Sequence, residues 1–113
     1  MHELAIAEGI IGIVKSEAQK NGFSRVLEIN LMIGEYSGIV PEYITELFPT
    51  AAKGTAAEGA AVMCSVVPAE FECRSCRYSG PVDRKKACCP VCGSEDLKMT
   101  VGRDLYVDSM KVE

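Results

Sequence analysis

The sequence predicts an α+β fold in which two helices pack on a three-stranded mixed sheet, with a small zinc-ribbon lobe of four cysteines inserted before the last strand. Segments of helical period alternate with segments of period two from residue 4 to residue 67, and period two returns after residue 105. Between them, residues 72–100 are poor in large aliphatic side chains but hold five of the six cysteines. A chain of 113 residues has room for one domain with such an insert.

The first predicted helix covers residues 4–20. Its apolar side chains recur at helical spacing and form one stripe: Leu4, Ala7, Ile11, Val14 and Ala18. Gly9 and Gly12 interrupt this helix, and each costs about 1 kcal/mol relative to alanine. We therefore expect the helix to approach the sheet closely at these glycines. Asn21 and Gly22 provide the signal that ends it.

The remaining elements follow from the same patterns. Residues 26–33 alternate between apolar and polar side chains, which predicts a half-buried strand. Pro41 suits the first position of a second helix, and Pro49 predicts a kink or an early end in it. Residues 61–67 and 105–112 are the remaining predicted strands of the sheet.

Composition and charge argue against several classes of protein. The formal net charge is −4, whereas a protein that binds nucleic acid normally carries a basic face. The longest apolar run, near residues 4–14, is too short to span a membrane, and no secretory signal precedes it. We therefore expect a cytoplasmic chain, in which paired cysteines bind metal more often than they form disulfides.

The four cysteines Cys73, Cys76, Cys89 and Cys92 form two CxxC pairs separated by 12 residues. Two such turns direct four sulfurs to one point, which predicts a closed structural zinc site. A redox dithiol is the alternative, but that chemistry uses a single CxxC at a helix N-terminus. Four thiolates leave no open position on the metal, so catalysis at this zinc is not expected.

The two other cysteines are not expected to be ligands. Cys64 lies in a predicted strand, where a small buried apolar side chain is the simplest interpretation. Cys88 could replace its neighbour Cys89, but only Cys89 preserves the CxxC spacing.

The chain begins Met1-His2-Glu3, and His2 is its only histidine. The α-amine of Met1, the amide nitrogen of His2 and its imidazole can close fused chelate rings around one ion. The amide or carboxylate of Glu3 can supply a fourth donor. Planar nitrogen donors suit Ni(II) and Cu(II), and binding should weaken in acid because protons compete for the ligands.

These features together resemble the HypA/HybF family of hydrogenase-maturation nickel chaperones. The resemblance covers the Met1-His2-Glu3 start, the strand end at residues 33–38, the helix start at Pro41 and the two CxxC pairs. It implies a nickel-binding domain of residues 1–70 and 101–113 and a zinc-binding domain of residues 71–100. It also implies a GTPase partner of the HypB type, delivery of nickel to the NiFe hydrogenase large subunit and, in some members, a role with urease maturation proteins.

The sequence departs from some members of that family at two places. Where they carry an aspartate that contributes to the nickel site, Val40 stands here, and Glu42 is the nearest substitute. Some members place histidines beside the zinc ligands, but Arg77 and Gly93 occupy those positions here. The expected zinc site is therefore all-thiolate and insensitive to mild acidification.

Two other functions are alternatives to a nickel chaperone. The first is a zinc-ribbon module that binds protein or nucleic acid through five cations around the cysteines: Arg74, Arg77, Arg84, Lys85 and Lys86. A solvated charged face explains them more simply. The second is an enzyme, which is not expected because there is one imidazole and no Walker-type phosphate loop. The sequence leaves open whether the chain is a monomer or a homodimer.

Overall fold

The computed structural model describes residues 3–113 and confirms the α+β class. The elements, in chain order, are α1 (Glu3–Asn21), β1 (Val26–Gly34), α2 (Pro41–Ala52), β2 (Ala61–Val67), β3 (Glu70–Cys73), β4 (Ser79–Gly80), β5 (Leu97–Val101) and β6 (Leu105–Val112). The three strands predicted from segments of period two form one sheet, whose order is β2-β1-β6. The chain divides into two compact units.

The first unit, here the helix unit, contains the described residues up to Met32 together with Gly38–Ser65 and Tyr106–Glu113. Helices α1 and α2 pack against each other in it. Its core consists of apolar side chains that are almost inaccessible to solvent: Ala7, Ile10, Ile11, Val14, Val26, Ile29, Leu31, Ile44, Phe48, Ala52 and Ala57. This continuous aliphatic core is the main source of stability for a unit of this size.

The second unit, here the cysteine unit, contains Ile33–Ser37 and Val66–Leu105. It has its own three-stranded sheet of order β4-β3-β5, and β3 pairs antiparallel with both neighbours. Its buried apolar residues are only Ile33, Ala69, Cys73 and Cys89. The predicted division into a nickel-binding and a zinc-binding domain stays a prediction.

A pair of glycines brings two segments of the cysteine unit together. Gly34 and Gly102 are both buried, and a Cβ atom on Gly34 would collide with the Gly102 carbonyl. The amide of Tyr36 donates to that carbonyl at 2.8 Å, and the amide of Gly34 donates to the Asp104 carbonyl at 2.8 Å. The end of β1 is thus fixed by backbone contacts that a side chain would prevent.

The helices differ from expectation in two ways. Helix α2 begins at Pro41 as predicted and runs through Pro49 to Ala52, so of the two alternatives predicted at Pro49, a kink or an early end, the early end is wrong. Gly9 and Gly12 are predicted to lie close to the sheet, but both are exposed, and beyond the neighbouring residues and backbone of the helix itself no atom lies within 4 Å of a Cβ built on either. In the described part of the chain, neither helix has the length and hydropathy that a membrane crossing requires.

Candidate metal centre

The four CxxC sulfurs lie at one point of the cysteine unit. The Sγ atoms of Cys73 and Cys92 are 3.6 Å apart, as are those of Cys76 and Cys89, and all four lie within 4.8 Å of one another. These separations are far longer than the bond of about 2.05 Å in a disulfide, and the thiols are free. Four sulfurs about 2.3 Å from a tetrahedral zinc would be separated by about 3.8 Å. The observed separations therefore fit that metal.

The two CxxC turns have the same backbone geometry. The amide of Arg77 donates to the Cys73 carbonyl at 2.9 Å, and the amide of Gly93 donates to the Cys89 carbonyl at 2.9 Å. Both residues after the pairs are left-handed, with φ of 69° at Arg77 and 76° at Gly93. Each first cysteine then donates its own amide to the second residue after its pair, Tyr78 or Ser94, at 2.8 Å.

Further hydrogen bonds join the two turns. The amide of Arg74 donates to the Asp96 carbonyl at 3.0 Å, and the Arg74 guanidinium lies 3.5 Å from the Asp96 carboxylate. The hydroxyls of Ser75 and Ser94 lie 3.0 Å apart. Hydrogen bonds and an ion pair therefore hold the two cysteine pairs together, in addition to any metal that the four sulfurs bind.

Backbone hydrogen bonds of the turns favour the thiolate at all four cysteines, but only at the first member of each pair is the net result a lowered pKa. Burial opposes ionisation of Cys89, but the amides of Cys92 and Val91 and the neighbouring thiols outweigh it and lower its pKa to about 6. The amide of Cys76 is the main cause that lowers the pKa of Cys73. Such a site suits a divalent cation, because a cation stabilises every thiolate at once.

The second members resist ionisation while no cation is present. At Cys76 a backbone hydrogen bond at Tyr78 favours the thiolate, but burial and the three adjacent thiols raise the pKa to about 12. At Cys92 burial and the adjacent thiol of Cys73 likewise outweigh the backbone at Ser94 and raise the pKa. Four crowded sulfurs cannot all carry charge without a cation among them.

Cys64 and Cys88 lie outside this cluster, and both are half-buried. Cys64 lies in β2, where burial and then the Glu42 carboxylate raise the pKa of its thiol. A neutral thiol in this position behaves as a small apolar side chain, although Cys64 is half-buried where the sequence predicts a buried residue.

The predicted nickel ligands are only partly within the described residues. Glu3 is the first residue of α1 and is half-buried, while Met1 and His2 lie outside the described residues. Val40 precedes α2 in extended conformation, and Glu42 is exposed in the first turn of that helix.

The five basic residues near the cysteines are exposed, as a solvated face requires, but two of them also contact other residues of the chain. The Arg84 guanidinium lies 4.2 Å from the centre of the Tyr36 ring and 3.5 Å from the Glu35 carboxylate. Arg74 is paired with Asp96. Two of the five cations that could serve an anionic partner are therefore engaged within the chain. No local pattern indicated the Arg84 contact, because Glu35 and Arg84 are 49 residues apart.

The sequence matches the family described as "Hydrogenase/urease nickel incorporation, metallochaperone, hypA" over residues 1–112. It is 37% identical to the hydrogenase maturation factor HypA of Methylocella silvestris and 39% identical to hydrogenase maturation factor HypA 1 of Bradyrhizobium diazoefficiens. Both alignments cover the whole of each chain.

Two solved structures share the fold. One is the solution structure of the Ni metallochaperone HypA from Helicobacter pylori, with a TM-score of 0.76 and 21% identity over 99% of this chain and 97% of that one. The other is a solution structure of a HypA protein, with a TM-score of 0.78 and 22% identity over 100% and 97% of the two chains. By its sequence matches, supported by this fold, the chain belongs to the HypA family of nickel metallochaperones for hydrogenase maturation.

Proposed function

We propose that this chain binds Ni(II) through Met1, His2 and Glu3 and delivers it during maturation of NiFe hydrogenase, without catalytic turnover. The observation that carries the proposal is the Met1-His2-Glu3 sequence at the start of a chain of this family, with its single imidazole directly before α1. The α-amine, the imidazole and deprotonated amide nitrogens are donors that Ni(II) accepts in a planar arrangement. A site of few ligands at a chain end can also release its ion readily, as a carrier must.

The four-cysteine centre is proposed to hold zinc through Cys73, Cys76, Cys89 and Cys92. When bound, zinc supplies structural stabilisation, since four protein ligands complete its coordination. The few buried apolar residues of the cysteine unit, against the large core of the helix unit, support this structural role. The two metals then occupy separate sites with different donors, sulfur for zinc and nitrogen for nickel.

The proposed partners are inferred from the missing phosphate-binding motif and from the family. Its glycine-containing turn at residues 34–38 has no Gly-Lys-Ser/Thr ending, so nucleotide hydrolysis would come from a partner GTPase of the HypB type. The proposed recipient is the NiFe hydrogenase large subunit in the cytoplasm, and the family description adds urease as a second client. A nucleic-acid partner is disfavoured by the net charge of −4 and by the engaged Arg74 and Arg84.

Nickel titration of three N-terminal variants tests the nickel site. His2→Ala, and separately the addition of one residue before Met1, should each abolish tight Ni(II) binding in isothermal titration. Glu3→Gln should weaken it, whereas Glu8→Gln, which changes an exposed carboxylate one turn further along α1, should not. Elemental analysis should still find one zinc per chain in all of them. Tight nickel binding that survives both N-terminal changes would contradict the proposal.

A further inference from the structure

Glu35 and Tyr36 contact both chain segments that lead into the cysteine pairs. The Tyr36 ring packs edge-on against Phe71, with ring centres 5.9 Å apart and planes at 79°. The Arg84 guanidinium lies over the same ring at 4.2 Å. Phe71 is two residues before Cys73 in β3, and Arg84 is five residues before Cys89.

Glu35 makes the corresponding polar contacts to the same two segments. Its Oε1 atom accepts a hydrogen bond from the Ala69 amide at 2.8 Å, just before β3. Its Oε2 atom lies 3.5 Å from Nε of Arg84, and its backbone carbonyl accepts from Nη2 of Arg84 at 3.4 Å. The backbone amide of Glu35 donates to the Val67 carbonyl at 2.9 Å.

The segment between Arg84 and the second cysteine pair is itself ordered by a turn. The amide of Lys85 donates to the Asp83 side chain at 2.8 Å, and the amide of Ala87 donates to the Asp83 carbonyl at 2.8 Å. Ala87 is left-handed, with φ of 51°, and ends this turn one residue before Cys88. A contact that fixes Arg84 therefore restricts the path of the backbone into Cys89.

We propose that Glu35 and Tyr36 are positioning residues of the metal centre, which hold the Phe71 and Arg84 segments so that the two cysteine pairs converge. Neither residue contacts the metal. They act by fixing the backbone that precedes each pair, in the way that outer residues orient the ligands of other metal sites. The inference rests on the proposed four-thiolate centre and adds to it the residues that set its geometry.

Metal-binding spectra of variants at Tyr36 and Arg84 test this positioning role. Co(II) occupies tetrahedral thiolate sites, and its visible absorption bands depend on their geometry. Tyr36→Ala and Arg84→Gln should shift these bands and weaken zinc binding roughly three- to tenfold, as expected for the loss of exposed ionic and cation–π contacts. Tyr36→Phe, which keeps the ring, should match the unaltered protein. Arg84→Lys, which keeps the charge but not the planar group, should fall between.

Thr100→Ala serves as the matched control. It removes a hydrogen bond of 3.3 Å from Thr100 to the Glu70 carbonyl, which joins two strands of the same sheet without involving the side chains of Glu35, Tyr36 or Arg84. It should leave the Co(II) bands unchanged even if the unit becomes less stable. Unchanged bands in Tyr36→Ala, Arg84→Gln and Arg84→Lys would overturn the positioning role. Absence of zinc and Co(II) binding in the unaltered protein would instead contradict the four-thiolate centre itself.

Discussion

At the scale of single residues, the two cysteine turns show how one backbone shape is built from different side chains. The residue after each pair must be left-handed so that its amide can return to the first cysteine carbonyl. Gly93 adopts this conformation freely, whereas Arg77 carries a Cβ atom in it at φ of 69°. A left-handed conformation costs an L-residue about 1–2 kcal/mol. Glycine avoids this cost, but part of the advantage is offset because glycine loses more backbone entropy on folding.

Substitutions at Arg77 and Gly93 should change the stability of the zinc-loaded protein in opposite directions. Arg77→Gly should stabilise the zinc-loaded protein by about 0.5–1 kcal/mol, and Gly93→Ala should destabilise it by about 1 kcal/mol. Zinc release to a chromogenic chelator during a urea titration measures both. Lys86→Gly is the control, since Lys86 lacks the positive φ of the Ala87 that follows it, and should be destabilising. A loss of stability in Arg77→Gly would show that its side chain contributes more than its backbone costs.

At the scale of elements, helix α2 accommodates a proline that the sequence predicts to disrupt it. Pro49 has no amide hydrogen, so the Thr45 carbonyl one turn earlier lacks its usual helical partner. The helix nevertheless continues, because Phe48 and Ala52 on either side of the proline are buried in the core of the helix unit. Tertiary packing thus outweighs the local preference.

Replacing that proline should therefore stabilise the protein. Pro49→Ala restores one helical hydrogen bond at an exposed position, and the gain should exceed the loss of about 0.4–1 kcal/mol from a more flexible unfolded chain. We expect a net increase of about 1–2 kcal/mol in the free energy of unfolding, measured in urea by circular dichroism. Pro41→Ala, at the first position of the same helix, should be neutral or mildly destabilising. If Pro49→Ala destabilises the protein instead, the ring makes a favourable contact that outweighs the hydrogen bond.

The length of an element decides how well the sequence predicts it. Helix α1 and strands β1, β2 and β6 were predictable because periodicity accumulates over 7 to 19 residues in each. The second sheet was not, because its strands β3, β4 and β5 have only 4, 2 and 5 residues and period two has no room to appear. For residues 71–100 the sequence predicts a cysteine-rich insert but no individual strands.

The candidate site likewise has one part that could be predicted from the sequence and one that could not. The convergence of four cysteines was predictable because CxxC spacing encodes a local turn. The contact between Glu35 and Arg84 was not, since an exposed arginine that stacks on a distant ring has the same sequence context as one in solvent. Gly9 and Gly12 gave a wrong expectation, because the cost of a glycine in a helix does not by itself require a compensating contact.

At the scale of the whole molecule, the two units differ in what stabilises them. Among its described residues, the helix unit buries eleven apolar side chains from both helices, the first sheet and the turn at Ala57, which resembles an ordinary small core. Two of the four buried apolar residues in the cysteine unit are themselves cysteines of the metal centre, Cys73 and Cys89. If these cysteines hold zinc as proposed, the metal supplies folding free energy that so few buried apolar residues do not, and the folding of this unit should depend on it.

Removal of zinc should consequently unfold one unit and spare the other. After treatment with a strong chelator, amides in β3 and β5 should lose protection from hydrogen exchange, whereas those of buried residues in α1 and α2 should keep it. The helical signal in circular dichroism should fall little, since both helices belong to the helix unit. Restoring zinc should restore protection in β3 and β5, and magnesium, which prefers oxygen ligands, should not. Simultaneous loss of protection in α1 and β3 would mean that the two units fold as one, and that zinc stabilises the whole chain rather than the lobe that binds it.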